Sequence, residues 1–84
     1  MITHEVRRYI SVFEKAGDNH VSDVEFDRIP DLIFLQALFN VQSDNPMYDV
    51  GVIDEQRAAQ LAPFISGQMD LDRFDYFLEC DRVT

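Results

Sequence analysis

Apolar and acidic side chains alternate residue by residue in two stretches of the chain. Asp23, Glu25 and Asp27 alternate with Val24 and Phe26. Asp75, Glu79 and Asp81 alternate with Phe74, Tyr76, Leu78 and Cys80, and Phe77 shares the parity of the acids. A strand points successive side chains to opposite faces. Each stretch therefore predicts a strand with one apolar and one anionic face. Glu5 to Lys15 predicts another strand. Val6, Ile10 and Val12 share one parity; Tyr9 and Phe13 share the other with Glu5, Arg7, Ser11 and Lys15. Gly17-Asp18-Asn19 follows, and these residue types tolerate the positive φ of tight turns. The strands from Glu5 to Lys15 and from His20 to Asp27 thus predict a β-hairpin.

Beyond Pro30 the pattern changes. Leu32, Ile33, Phe34, Leu35, Ala37, Leu38 and Phe39 are apolar nearly all round. The run is long and lacks valine and threonine, so helix is preferred over a short buried strand. Pro30 suits its first turn, Asp27 is a candidate cap, and Asp31 suits the positive end of the dipole. Such a helix is largely buried or leaves a flank for a partner, with Phe34 or Phe39 as points of self-association. Asn40 to Pro46 reads as loop. Met47 to Ile53 reads as a short extended piece with Tyr48, Val50 and Val52 on one side and Gly51 as a bulge. Asp54 reads as the N-cap of a second helix, with Ile53 and Ala58 as a hydrophobic staple. Ala58, Leu61, Ala62 and Ile65 keep helical spacing, but Pro63 ends or kinks the helix near Ala62 before Gly67 closes the segment. Arg73 to Val83 is the last strand.

The order β-β-α-β-α-β predicts an α+β fold: one mostly antiparallel sheet of about four strands with two helices on one face. The 84 residues form a single domain, 1–84. The helix-covered side then holds Val6, Ile10, Val12, Val24, Phe26, Tyr48, Val50, Val52, Phe74, Tyr76, Leu78 and Cys80. The open side shows Asp23, Glu25, Asp27, Asp49, Asp75, Phe77, Glu79 and Asp81 around Tyr9 and Phe13. Arg7 can neutralise part of it. Strand order is not fixed by these patterns.

Charge gives that face its meaning. Sixteen acids against seven bases leave a formal charge of −9, spread along the whole chain. Such an excess repels nucleic acid and anionic membranes. Its plainest use is solubility. Yet like charges on adjacent strands cost stability, and aromatic anchors ringed by charge are a common way to build a tight interface. The candidate partner-binding residues are Tyr9, Phe13, Asp23, Glu25, Asp27, Asp75, Phe77, Glu79 and Asp81, and the partner they suit is a basic protein. Nucleases and nucleic-acid binders carry clefts of that charge.

Candidate chemistry adds little. Gly17, Gly51 and Gly67 stand apart, so no phosphate loop forms. His4 and His20 lack partners at motif spacing. Asp70, Asp72 and Asp75 lack the glycine and final glutamate of a calcium loop. Cys80 reads as a small inward-facing hydrophobe, and one cysteine forms no internal disulfide. The reading is no enzyme, no cofactor and no metal site. The start, Met1 to Ile10, has no signal-peptide run and no segment is a membrane span, so the expected location is cytoplasmic.

One part of the chain resembles a known family. Asn45-Pro46-Met47-Tyr48-Asp49, Ile53-Asp54-Glu55-Gln56 and the run Leu71-Asp72-Arg73-Phe74-Asp75-Tyr76-Phe77-Leu78-Glu79-Cys80 resemble small bacterial immunity proteins encoded beside polymorphic toxins, including those of contact-dependent growth inhibition. The resemblance covers roughly Asn45 to Cys80. It implies a cytoplasmic antitoxin that binds one cognate toxin domain, often a nuclease, and blocks it by occlusion. It assigns no binding residue by motif. The alternative is an acidic DNA mimic or regulatory adaptor that uses the same anions against a DNA-binding protein.

Overall fold

The computed structural model describes residues 6–82, with Arg82 described by its backbone. His4 and the expected strand limits at Glu5 and Val83 lie outside the described residues. The strands are β1 (Val6–Glu14), β2 (His20–Glu25), β3 (Gly51–Ile53) and β4 (Phe74–Arg82). The helices are α1 (Leu32–Leu38) and α2 (Glu55–Leu61), and a 3-10 turn, Ala62–Phe64, continues from α2. The strands form one sheet in the order β2-β1-β4-β3, with every neighbouring pair antiparallel. This is the expected α+β order, β-β-α-β-α-β.

The hairpin closes as its turn residues dictate. Asp18 takes φ 55°, and its N–H donates to the carbonyl of Glu14. Aspartate adopts this region more readily than most residues because its short side chain bonds locally. A bulge between Val12 and Phe13 leaves Val21 as the extra residue, so His20 faces Phe13. Beyond the bulge Ser11 faces Asp23 and Tyr9 faces Glu25. β1 also pairs with β4 along its whole length, from Val6 opposite Arg82 to Glu14 opposite Phe74.

One parity of these strands meets the helices. Ile10, Val12, Tyr76 and Leu78 are buried with Leu35 and Phe39 from the first helical segment and Ala58 and Leu61 from the second. Burying this apolar surface is the main drive for folding. Asp54 caps α2 as its sequence suggests: its Oδ1 accepts from the Arg57 N–H at 2.9 Å. Ile53 and Ala58 are both buried beneath that cap. Pro63 falls in the 3-10 turn after α2 has ended, where its missing N–H disrupts no α-helical ladder.

Three expectations fail here. The N-cap of α1 is Asp31, so Pro30 precedes the helix and Asp27 lies well outside it. Phe39 is a core residue and Phe34 stacks on Phe64 at 5.2 Å, so neither is the exposed flank. That flank is Ile29, Leu32 and Ile33. Finally, β3 has the opposite parity to the one expected. Ile53 faces Tyr76 and Gly51 faces Leu78, so both point at the core, while Val52 faces Phe77 on the other side. Tyr48, Val50 and Val52 are 57–59% exposed. Ile53 decides this, because it must sit in the core to lead into the capped start of α2.

Side chains hold the long connection from α1 to β3. Gln36 is buried, and its Nε2 donates to the carbonyls of Ser43 and Asn45 at 3.1 and 2.7 Å. Arg8 donates to the carbonyls of Pro46 and Met47 at 2.9 and 3.0 Å. Arg57 ties three elements together. It donates to the carbonyl of Val52 at 3.0 Å and of Leu38 at 3.4 Å, and its guanidinium lies 4.4 Å from the centre of the Phe39 ring. Arg57→Ala is expected to cost about 1–2 kcal/mol, from lost charge-assisted bonds and ring contact. Arg57→Lys is expected to recover little of it, since lysine lacks the planar fork. Urea midpoints of the two variants check this.

Candidate functional site

The other parity of the sheet carries no helix. Along β4 it presents Asp75, Phe77, Glu79 and Asp81; along β1, Arg7, Tyr9, Ser11 and Phe13; along β2, His20, Asp23 and Glu25. Eight of the nine residues expected to bind a partner are brought together here. Asp27 is the exception. β2 stops at Glu25, and the Asp27 N–H donates to the carbonyl of Phe64 at 2.9 Å. Its carboxylate accepts from Ser66 Oγ at 2.5 Å. The turn that brings Phe26 against the core takes Asp27 away from the sheet face. Asp49 leaves the face too, lying in a bend before β3.

The face has two parts. One is aromatic. Phe13 and Phe77 meet edge to face at 5.6 Å between ring centres, and His20 meets Phe13 at 5.3 Å. Val52 stands beside Phe77 across the β3–β4 ladder. Both phenyl groups are half-buried. The His20 Nε2–H donates to Asp23 Oδ1 at 2.8 Å, since an ionised carboxylate only accepts.

The other part is a polar network. Arg7 pairs with Glu25 and lies 3.9 Å from Asp81, with its guanidinium 4.0 Å from the centre of the Tyr9 ring. The hydrogen bond to Glu25 leads the causes that raise the pKa of Arg7. Tyr9 donates its hydroxyl to Asp81 Oδ2 at 2.9 Å, and the buried Ser11 donates to Glu79 Oε2 at 2.7 Å. Lys15 reaches Asp75 at 3.2 Å. Five carboxylates, Asp23, Glu25, Asp75, Glu79 and Asp81, thus meet two cations, Arg7 and Lys15. The expected partial neutralisation by Arg7 is there, and an excess of three negative charges remains.

Tyr9 provides a test of this network. Its phenol is pushed up to about 12, first by the bond to Asp81, then by desolvation and by the charges of Asp81, Glu79 and Asp23. The folded state therefore holds this proton more tightly than the unfolded chain, where tyrosine titrates near 10. The resulting stabilisation is complete below about pH 10 and is lost as pH rises towards 12. Absorbance titration at 295 nm is expected to show a late-ionising tyrosine that Tyr9→Phe removes and Tyr48→Phe does not. A single transition near pH 10 in the parent would show that the Tyr9–Asp81 bond does not persist in solution.

Four residues of the face were not singled out from the sequence. Val52 shares its parity with Tyr48 and Val50, which the sequence pattern assigns to the core side, whereas the buried Ile53 sets that parity on the open side. His20 reaches the face through the bulge, which no local pattern marks. Ser11 and Lys15 are ordinary polar residues in the sequence, and only the β1–β4 register sets them diagonal to Glu79 and Asp75, within reach of those carboxylates.

A model of the domain of unknown function DUF7683 matches residues 7–79. The chain belongs to the DUF7683 family. The match runs from Arg7 in β1 to Glu79 in β4. Its description assigns no activity. No curated protein matches the chain. Among the described residues, no group of three or more histidines, cysteines or acids is placed to hold a metal ion. No helix among them is long and apolar enough to cross a membrane.

Proposed function

We propose that this DUF7683 protein is an immunity-type inhibitor. It lays its open sheet face over the basic active-site surface of a cognate toxin domain, a nuclease by the charge of the cleft required, and occludes it. The interaction takes place in the cytoplasm, where Cys80 stays a free thiol. The protein performs no chemistry of its own.

The observation that carries the proposal is the helix-free face itself, where the half-buried Phe13–Phe77 pair shares the sheet with five carboxylates that only two cations offset. The acid-bearing strands β2 and β4 flank β1, which sets Arg7 among five carboxylates, with Lys15 just beyond it. Those two cations leave the face net anionic. An anionic face accelerates encounter with a cationic surface. The neighbouring rings supply the desolvated apolar contact that slows release.

The test is co-production of this chain with the protein encoded by the adjoining reading frame. The expected result is a salt-sensitive complex that protects cells from the toxicity of that protein. Full toxicity in the presence of folded inhibitor would overturn the proposal. Binding to a DNA-binding regulator, with no toxin neutralised, would favour an adaptor role.

A further inference from the structure

β4 has a stretch of edge that β3 leaves open. β1 pairs with all nine residues of β4, whereas β3 pairs only with Tyr76, Phe77 and Leu78. The hydrogen-bond phase says which groups face the gap. The Lys15 N–H donates to the Arg73 carbonyl at 3.2 Å, continuing the β1–β4 register. In an antiparallel ladder, such bonded pairs recur at every second residue. Asp75, Phe77, Glu79 and Asp81 therefore turn their backbone groups toward β1. Tyr76, Leu78, Cys80 and Arg82 turn theirs the other way. Gly51 and Ile53 of β3 face Leu78 and Tyr76. Asp49 would face Cys80, but the chain bends there. Among the described residues, no backbone group bonds to Cys80 or Arg82 from that side.

We propose that this stretch of β4 is a strand-docking edge, and that its occupant is an extended, lysine- or arginine-bearing segment of the cationic partner. The proposal rests on the inhibitor reading and names how the partner is held. A guest strand would donate to and accept from Cys80 and Arg82, as in other cases of strand addition. Its side chains on the open face would stand beside Glu79 and Asp81. Opposite charges in cross-strand pairs are favourable and like charges are not. That also argues against a second copy of this chain as the occupant, because a self-paired edge would bring Glu79 and Asp81 of both copies together. The two acids are held from the β1 side by Ser11 and Tyr9, so they are oriented before a guest arrives.

Two arms test this. In the first, the 15N-labelled protein is titrated with a blocked hexapeptide that alternates lysine and valine. The expected result is shifted and slowly exchanging amides at Cys80 and Arg82. A version with prolines in place of the valines, which cannot pair, is expected to leave them unchanged. Glu79→Gln with Asp81→Asn keeps shape and removes charge, and is expected to weaken the peptide about fivefold. Equal effects from the proline version, or shifts spread evenly over the acidic face, would overturn the edge. So would concentration-dependent shifts at Cys80 without peptide, which would mark a second copy as the occupant. In the second arm, hydrogen exchange is measured on the complex with the co-produced neighbour. Protection of Cys80 and Arg82 supports the proposal. Protection over Phe13 and Phe77 alone overturns the edge and leaves the inhibitor reading standing. Absence of any complex sinks that reading, and with it the proposed occupant, whatever the peptide does.

Discussion

Gly51→Val is expected to lower the melting temperature by 10 °C or more. A β-carbon built on Gly51 would lie 2.6 Å from Cε2 of Phe39 and 3.0 Å from Cδ2. Real β-carbons do not approach other atoms so closely. Phe39 is itself buried, with Arg57 stacked on its ring, so the ring has little room to yield. Forcing extra carbon into a packed site costs about 1–3 kcal/mol. In a domain of this size each kcal/mol moves the midpoint by roughly 4–8 °C. Gly51→Ala is expected at the lower end, and valine, with two further carbons, above it. Gly17→Ala is the control. Its new carbon would meet only Asn19 Nδ2, at 3.4 Å, an ordinary contact. Thermal melts by circular dichroism compare the three. An unshifted Gly51→Ala would mean that Phe39 does not occupy this space in solution.

The same glycine shows what the sequence could and could not reveal. It invited a bulge reading because a strand glycine often marks one. The structure uses it to let a phenyl ring lie against the strand. No pattern of neighbours could show this, because Phe39 is twelve residues away and meets Gly51 only once the long connection has folded. That connection depends on the buried Gln36, whose Nε2 donates to the carbonyls of Ser43 and Asn45 far along the loop. By contrast, the hairpin, the Asp54 cap and the ending of α2 near Pro63 were legible, since each depends on residues within a few positions. The acid-bearing faces of β2 and β4 were legible for the same reason: pleat alternation is local. The limits of that logic appear at Asp27 and Val52. Asp27 continues the alternation on paper, but its backbone is captured by Phe64. Val52 alternates correctly with Tyr48 and Val50, but a tertiary demand on Ile53 sets the register.

Association and release of the partner are expected to divide between the two parts of the face. Charge reversal at Asp75, Glu79 and Asp81 is expected to slow association by roughly 10- to 100-fold at low salt and to flatten its salt dependence, because long-range attraction acts on encounter and is screened within about 10 Å at 0.1 M salt. Phe77→Ala is expected to act differently. Phe77 stands between Phe13 and Val52 near the middle of the face, where a partner would exclude water most fully. Truncating a central aromatic anchor costs about 2 kcal/mol or more, which is roughly a 30-fold faster release with little change in association. Ile33→Ser, on the exposed flank of α1, is the control and is expected to leave both rates within about twofold of the parent; surface-plasmon kinetics at several salt concentrations separates the outcomes. A charge-reversed variant that remains folded and associates at the parental rate would show that the carboxylates serve solubility alone. A Phe77→Ala variant with parental release would move the anchor to another part of the surface.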